Sequence, residues 1–515
     1  MSDLANRTIK NSAYSFGGFL WLLGLSFFTL PIMILHLGIE QYGIYIIITV
    51  VMGMFALVDF SFSYLFGKRL SEDYTGKDVG KLSGLFSVTF LFYITVGLLA
   101  GLSVAFIGFF VPSFFHISNS VTGSYWQLPF FAGAALCLQM MVMPLTQIPA
   151  AFQRFDLLTK ISLVNITAVQ LSMVCAVVLG FGIKTLFLIQ FVSALLLFIF
   201  YIYIWKKIAP RLLFCRSSKY KKIFKDAFKS GIPYFLSNAM LNMLSQLDKY
   251  MVGIFVGTTS VSYYASAQML PNKIQNVSLS LSPVFFPVFS NLDYKQEISR
   301  LADIFRRAVK FIMYITSGLV MVVLIYGWEL LRYWLGPEFA FNASVSIRLL
   351  AVCYFLLAIF SFIYYFLGGI KKSRFALFSV SVMAVLDIVM MLVLIPRFGI
   401  NGASAAYLIS VIPVIGFVYY IEKNIFGDSL RHIIKNYLPF SLKIILVNFG
   451  VSFISLFFLS RFITSLWTTL IICGFTYTIF LVCYWCLGFI DKIDRDLIKN
   501  YFFIGFKNLV STSGK

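Results

Sequence analysis

Acidic residues are scarce in this sequence: 20 Asp and Glu among 515 residues, against 41 Lys and Arg. Charged side chains of both signs make only 12% of the chain, about half the roughly 25% of an ordinary soluble domain. Histidine is scarcer still. The three, His36, His116 and His432, lie far apart and form no metal motif. Seven cysteines do not make a disulfide scaffold. Cys483 and Cys486 form a C-x-x-C, but inside an apolar run, where packing is expected and not zinc or redox chemistry. There is no Walker A sequence, so no ATP-binding P-loop.

What is abundant is apolar surface. Hydrophobic residues make 60% of the chain, Phe alone contributes 58, and mean hydropathy is +0.90. No water-soluble globule of this size keeps so much apolar surface from water, and disordered or collagen-like chains are excluded by the same figures. The chain reads as a polytopic membrane protein. A helical span needs about 20 mostly apolar residues. Fourteen segments qualify: 13–35, 42–66, 82–111, 126–151, 157–180, 184–205, 230–256, 260–291, 308–335, 343–368, 375–396, 401–421, 437–459 and 463–488. That leaves about 37 residues per span and connection, and no stretch for a soluble domain. The runs are continuously apolar, unlike the roughly ten-residue alternating strands of a membrane barrel. The first is too long, and too closely followed by others, for a cleaved signal sequence.

Lys and Arg near short loops stay cytoplasmic. With the N-terminus inside and fourteen spans returning the C-terminus inside, 33 of the 41 cations fall in inner segments. Four fall in outer loops (Lys184, Arg332, Arg397, Arg461) and four within spans (Lys249, Lys273, Arg348, Lys443). The net charge of +21 is mostly a topology signal. The densest run, Lys206–Lys229, holds nine cations and one acid, Asp226. It suits a stop-transfer segment in contact with anionic lipid, at about 1 kcal/mol per cation. Gathering an anionic substrate is the other reading. No folded basic domain exists to organise nucleic acid.

The basic loop separates two similar halves. LGIEQYGIY, with Gly38 and Tyr45, follows span one. VGTTSVSYY, with Gly257 and Tyr264, follows span seven. GFGI (Phe181, Gly182, Ile183) follows span five, and RFGI (Phe398, Gly399, Ile400) follows span eleven. Arg154-Phe155 and Arg374-Phe375 hold matching loops. The offsets are 219, 217 and 220 residues. Six spans per half is an even number, so the repeats are parallel, as in transporters that rock two lobes about a central site. The fold class is thus all-α and polytopic, with about fourteen transmembrane helices in two six-helix lobes plus two C-terminal helices, both termini cytoplasmic. The divisions are 1–205 (N-terminal lobe), 206–229 (basic inter-lobe loop), 230–422 (C-terminal lobe), 423–488 (extra helices, read as peripheral) and 489–515 (cytoplasmic amphipathic tail). In the tail, Ile490, Ile493, Leu497 and Tyr501 share one face.

Outer loops are short and nearly uncharged, which speaks against an enzyme acting on that face. The informative residues are charges inside spans, which usually face a cavity or a partner. Lys273 sits mid-span eight in a Pro-kinked polar stripe with Asn272, Gln275 and Asn276. It reads as a cation for an anionic group in a cavity, or as an ion-pair partner of Asp248. Asp248 and Lys249 are adjacent in span seven and point about 100° apart. Asp248 reads equally as structural or as a protonatable coupling site. Asp387, mid-span eleven, is either buried in its protonated form or titrates during transport. Asp59 in span two anchors a helix end near Lys68 and Arg69 or takes part in coupling. Arg348, one turn into span ten, is structural or part of a gate. Lys443 is near enough to an end to snorkel. Pro31, Pro144, Pro149, Pro233, Pro271, Pro283, Pro287 and Pro413 permit kinks, and bending of spans one, seven and eight is the expected means of opening the lobes.

The order of these motifs resembles the oligosaccharide flippases (Wzx-type) of the multidrug/oligosaccharidyl-lipid/polysaccharide exporter superfamily. The likeness covers about 10–490. It rests on LGIEQYGIY, Asp59 ahead of Lys68-Arg69, Gly231-Ile232-Pro233, Asp248 ahead of VGTTSVSYYASAQ, PVFFPVFSNL and IPRFGINGASAA. Ser61 stands where the family carries Gly. The resemblance implies a bacterial plasma-membrane flippase for undecaprenyl-diphosphate-linked oligosaccharide in surface polysaccharide synthesis. It would work by alternating access, with H⁺ or Na⁺ as coupling ion and no cofactor. Lys273, Lys249, Arg348, Asn272, Gln275 and Asn276 are the substrate-binding candidates. Asp248, Asp387 and Asp59 are the ion-coupling candidates. The implied partners are the lipid-linked saccharide, membrane lipids, a polysaccharide polymerase and glycosyltransferases. The alternatives are a membrane-embedded polysaccharide polymerase or ligase, which would need the charged outer loops that are lacking, and a drug exporter of the MATE type, although span one lacks the acid such exporters often carry there. It also lacks the Arg of the lipid II flippase.

Overall fold

The computed structural model describes residues 2–56, 62–73, 79–114, 127–152, 154–214, 240, 246–291, 297–370 and 372–487. Asp59, the 230–239 start of span seven and the 489–515 tail lie outside the described residues, as does the inter-lobe loop beyond 214. Every regular element among the described residues is helical. Lipid leaves a backbone no partner but itself, so apolar runs of this length must be helices. In chain order they are α1 (Ser2–Leu37), α2 (Ile39–Ala56), α3 (Phe62–Asp73), α4 (Val79–Phe114), α5 (Gln127–Ala151), α6 (Phe155–Val178) and α7 (Ile183–Ile208). After helical residues 246–256 come α8 (Thr258–Asn291), α9 (Ile298–Leu335), α10 (Pro337–Gly369), α11 (Ser373–Val411), α12 (Val414–Asn424), α13 (Leu430–Phe458) and α14 (Leu466–Cys486). Two compact units form, 1–262 and 263–515, and the division falls within the second turn of α8.

Several helices outrun the apolar segments. α9 begins at Ile298, ten residues ahead of the expected span, and carries Arg300, Arg306 and Arg307 on that extension. A helix satisfies its own backbone in water as in lipid, so hydropathy does not mark its end. Residues 374–424 run as apolar helix over 51 residues, about 75 Å at 1.5 Å per residue. That is more than twice the bilayer core. The reversal lies inside α11, at Gly399 (φ 57, ψ −133). A Cβ on Gly402 would stand 2.1 Å from the Leu394 carbonyl oxygen, whereas eight residues of straight helix span about 12 Å. Spans eleven and twelve are therefore a tight hairpin, as the sequence indicates.

Left-handed glycines mark the repeat. Gly38 (φ 82) and Gly257 (φ 105) lie 219 residues apart, and so do Gly180 (φ 82) and Gly399 (φ 57). The GFGI–RFGI alignment pairs Gly182 with Gly399. That register is corrected here, because Gly182 is extended (φ −80, ψ −177) as the N-cap of α7 and Gly180 makes the turn.

In the first unit, α4 and α5 approach at backbone distance. A Cβ on Gly101 would lie 2.5 Å from the Gly133 oxygen, and one on Gly133 would lie 2.2 Å from the Gly101 oxygen. Gly97 faces Cys137 and Gly108 faces Pro129, the order expected of antiparallel helices. Small residues allow such approach where lipid supplies no hydrophobic drive. Phe66, Phe86, Phe90, Leu145, Ile148, Tyr201 and Ile204 form the core at one end. The first residues beyond α7 join it: Phe214 packs against Phe86 and Trp205 (5.2 and 5.3 Å between centroids). Trp205 Nε1 donates to the Leu212 oxygen (3.2 Å).

In the second unit, α13 and α14 fasten to α9 through buried polar side chains. Tyr484 bonds Ser317 (3.1 Å) and Asn448; Ser455 bonds Tyr326 and Thr476 (2.9 Å). Tyr333 Oη donates to the Ile463 oxygen (3.4 Å). The two helices outside the repeat are thus attached by a specific seam, which the reading of them as peripheral does not anticipate.

Candidate functional site

The mid-span-eight stripe divides by direction. Asn272 Nδ2 donates to Tyr354 Oη (3.3 Å) and Gln275 Nε2 donates to Ser361 Oγ (3.0 Å), both on α10. On a helix these two lie about 60° apart, while Lys273 lies about 100° from one and about 160° from the other. Lys273 therefore points away from α10. It is half-buried, and its ammonium makes no ion pair among the described residues. Asn276 is half-buried on the arc between, and its carbonyl accepts from Ser280 Oγ (2.8 Å). The side chains expected to act together thus split into two that brace α8 against α10 and one cation left over.

Arg348 leans on α9. Its Nε donates to the Leu324 oxygen of α9 (3.1 Å), beside Gly327. Asp387 is buried in α11, at 1% exposure. In the first unit Asp248 is fully buried and accepts the Lys249 backbone N–H (2.7 Å). Lys249 Nζ donates to Gln246 Oε1 (3.0 Å) on its own helix. The expected sites fall in both units: Asp248 and Lys249 in the first, Lys273, Asn272, Gln275, Asn276, Arg348 and Asp387 in the second. No group of three or more His, Cys, Asp and Glu able to hold a metal occurs among the described residues.

A charged cluster that sequence reasoning missed joins α9, α12 and α13. Arg306 grips Glu422 through Nε (3.0 and 3.2 Å) and a terminal nitrogen (2.6 Å), and also pairs with Asp428. Tyr437 Oη donates to Glu422 Oε1 (2.7 Å), and the guanidinium lies over Phe426 (5.7 Å). Glu422 is fully buried. Counted as a topology cation, Arg306 is instead held inside the unit. The available signal was Glu422 itself, an acid ending an apolar run.

These long apolar helices, kinked and carrying buried charges, define a multi-pass membrane protein. The structure is similar to lipid II flippase MurJ in an inward-closed conformation (TM-score 0.69, 16% identity, 92% of this chain and 99% of that one). It is also similar to an inward-facing MATE-family multidrug transporter of the MOP superfamily (TM-score 0.56, 14% identity, 77% and 93%). At these identities the likeness establishes the fold. The chain belongs to the polysaccharide biosynthesis protein family, which it matches over residues 32–344. A putative O-antigen transporter of Shigella flexneri is 20% identical over 191 residues, 37% of this chain and 45% of that protein. The chain spans less than half the length of the curated relatives it matches.

Proposed function

We propose that this protein is a flippase that carries polyprenyl-diphosphate-linked oligosaccharide from the inner to the outer leaflet of the plasma membrane for surface polysaccharide synthesis. The observation that carries this reading is Lys273, a half-buried cation mid-membrane that the neighbouring hydrogen bonds of Asn272 and Gln275 leave uncommitted. Membership of the polysaccharide biosynthesis protein family supports a saccharide cargo. A cation there meets a diphosphate that the lipid itself will not solvate. The polyprenyl tail stays in lipid while the lobes alternate access. Asp387 and Asp248 exchange H⁺ or Na⁺ to reset the cycle, with Asp59 as a further coupling acid. Lys249, Arg348 and Asn276 contribute secondarily. Glycosyltransferases supply the cargo and a polymerase consumes it.

Translocation of a labelled lipid-linked oligosaccharide in proteoliposomes tests this. Lys273→Ala should slow translocation about tenfold to a hundredfold, the range of a lost charge-assisted contact, with the protein still in the membrane. Normal translocation would reject the cavity cation. Asp387→Asn should uncouple transport from the ion gradient; an unchanged gradient dependence rejects that role. The MATE-like fold favours a second reading, a small-molecule exporter. Drug efflux without saccharide movement would establish it instead.

A further inference from the structure

One intramembrane acid has no role so far. Glu329 lies on α9, six residues from its Leu335 end, about 9 Å along the axis. The cation distribution places that end outside. The side chain is half-buried, and its Oε2 is shielded with no hydrogen-bond partner among the described residues. It follows Tyr326 by three residues and so lies on the face turned to α13 and α14. The register of the seam agrees: Ser317 meets Tyr484 and Tyr326 shares Ser455 with Thr476, so three residues outward Glu329 comes level with Cys473 on α14. Ser452 Oγ, one turn before Ser455's neighbours on α13, is likewise buried and unbonded. The seam is a row of hydroxyls ending outward in one carboxyl.

Its surroundings leave that carboxyl open. On α9, Arg332 is one turn outward, but its guanidinium lies over the rings of Trp328 and Tyr333 (5.0 and 5.5 Å). Arg461, in the α13–α14 connection, lies over Phe457 (5.5 Å). On α14 the titratable neighbour is Cys473; Tyr477 and Tyr484 lie further inward, where they bond the Ile315 oxygen, Ser317 and Asn448. On the α10 side Arg348 is bonded to Leu324. A carboxyl inside the membrane, without an ion pair among the described residues and beside a polar row, is what proton relays are built from.

We propose that Glu329 is a proton-binding site of this transporter, loaded from the outer side, and that the packing of α13 and α14 on α9 responds to its protonation. The carboxylate takes one proton from outer water and later returns it. This rests on the reading of the chain as a gradient-driven translocator, and it gives the two helices outside the repeat a task.

Infrared difference spectroscopy of the full chain in nanodiscs, stepped in pH, tests it with the proton as the only ligand. The wild type should show a protonated-carboxyl stretch that titrates. Glu329→Gln should lose that band, while Asp387→Asn and Asp248→Asn keep it. Tyr326→Phe, which removes the link to Ser455, should shift its midpoint. Glu329→Asp keeps the carboxyl and should move the band without deleting it, which covers failure of the Gln variant to fold. Superimposable spectra for wild type and Glu329→Gln, or a band that Glu329→Asp leaves in place, would overturn the proposal. A band assigned to Glu329 in a protein that moves no lipid-linked saccharide keeps the site and discards the flippase.

Discussion

Arg306, Glu422, Asp428 and Tyr437 show what a buried charge requires. Glu422 has no access to water, and three donors from two side chains surround its carboxylate. Removing one member of a buried pair costs about 3–5 kcal/mol, because the other is left uncompensated. Arg306→Ala should therefore lower the thermal midpoint in detergent sharply, read by tryptophan fluorescence. Replacing both Arg306 and Glu422 by Met should recover much of the loss, since apolar residues of like volume substitute well for buried pairs. A double variant no better than Arg306→Ala would show that the cluster does not act as a pair. Asn272→Ala should behave differently. An interhelical hydrogen bond in a membrane averages about 0.6 kcal/mol, so its midpoint should fall only slightly. A large fall would show that α8 leans on that bond more than its geometry indicates.

Helices pack here through points where no side chain fits. The α4–α5 contact puts Gly101 and Gly133 backbone to backbone. Neither oxygen can retreat without moving its helix, so Gly101→Ala should cost about 1–3 kcal/mol, the range for overpacking. A midpoint equal to wild type would mean the helices separate freely. At Gly399 the strain is conformational. Its φ/ψ lie where a Cβ is poorly tolerated, so Gly399→Ala should reduce the yield of folded protein, checked by size-exclusion of a fluorescent fusion. The sequence makes part of this legible. Apolar runs and cation alternation locate the helices, because both follow from the cost of putting backbone and charge in lipid. The Gly38–Gly257 equivalence is legible because each stands alone in its turn. Gly180 is not, since GFGI offers two glycines to its turn and only the backbone shows which one is left-handed. Gly133 stands 32 residues from Gly101, and no local pattern announces their contact. Glu329 and Glu422 fell out of the candidate site for a related reason. Each stands near the end of an apolar run and close to charges, and only packing shows Glu422 fully buried and one oxygen of Glu329 shielded.

At the scale of the whole chain, charge distribution sets orientation. The fourteen-span reading puts thirty-three cations on one side against four on the other, a bias that would make the reverse insertion costly, because Lys and Arg resist translocation. Each inner cation near the surface adds about 1 kcal/mol of attraction to anionic lipid. Lys184 follows the Gly180 turn and Arg397 precedes the Gly399 turn, equivalent places in the repeat, while Lys206 and Lys207 close α7 at its other end. With the native cysteines replaced, Lys184→Cys and Arg461→Cys should react with a membrane-impermeant maleimide in intact cells. Lys206→Cys and Lys423→Cys should react only after permeabilisation. All four positions are exposed, so silence reports the membrane and not burial. Labelling of all four in intact cells would mean a mixed orientation. The opposite pattern would invert the whole chain and place Lys273's access, and the proton entry at Glu329, on the wrong sides for export.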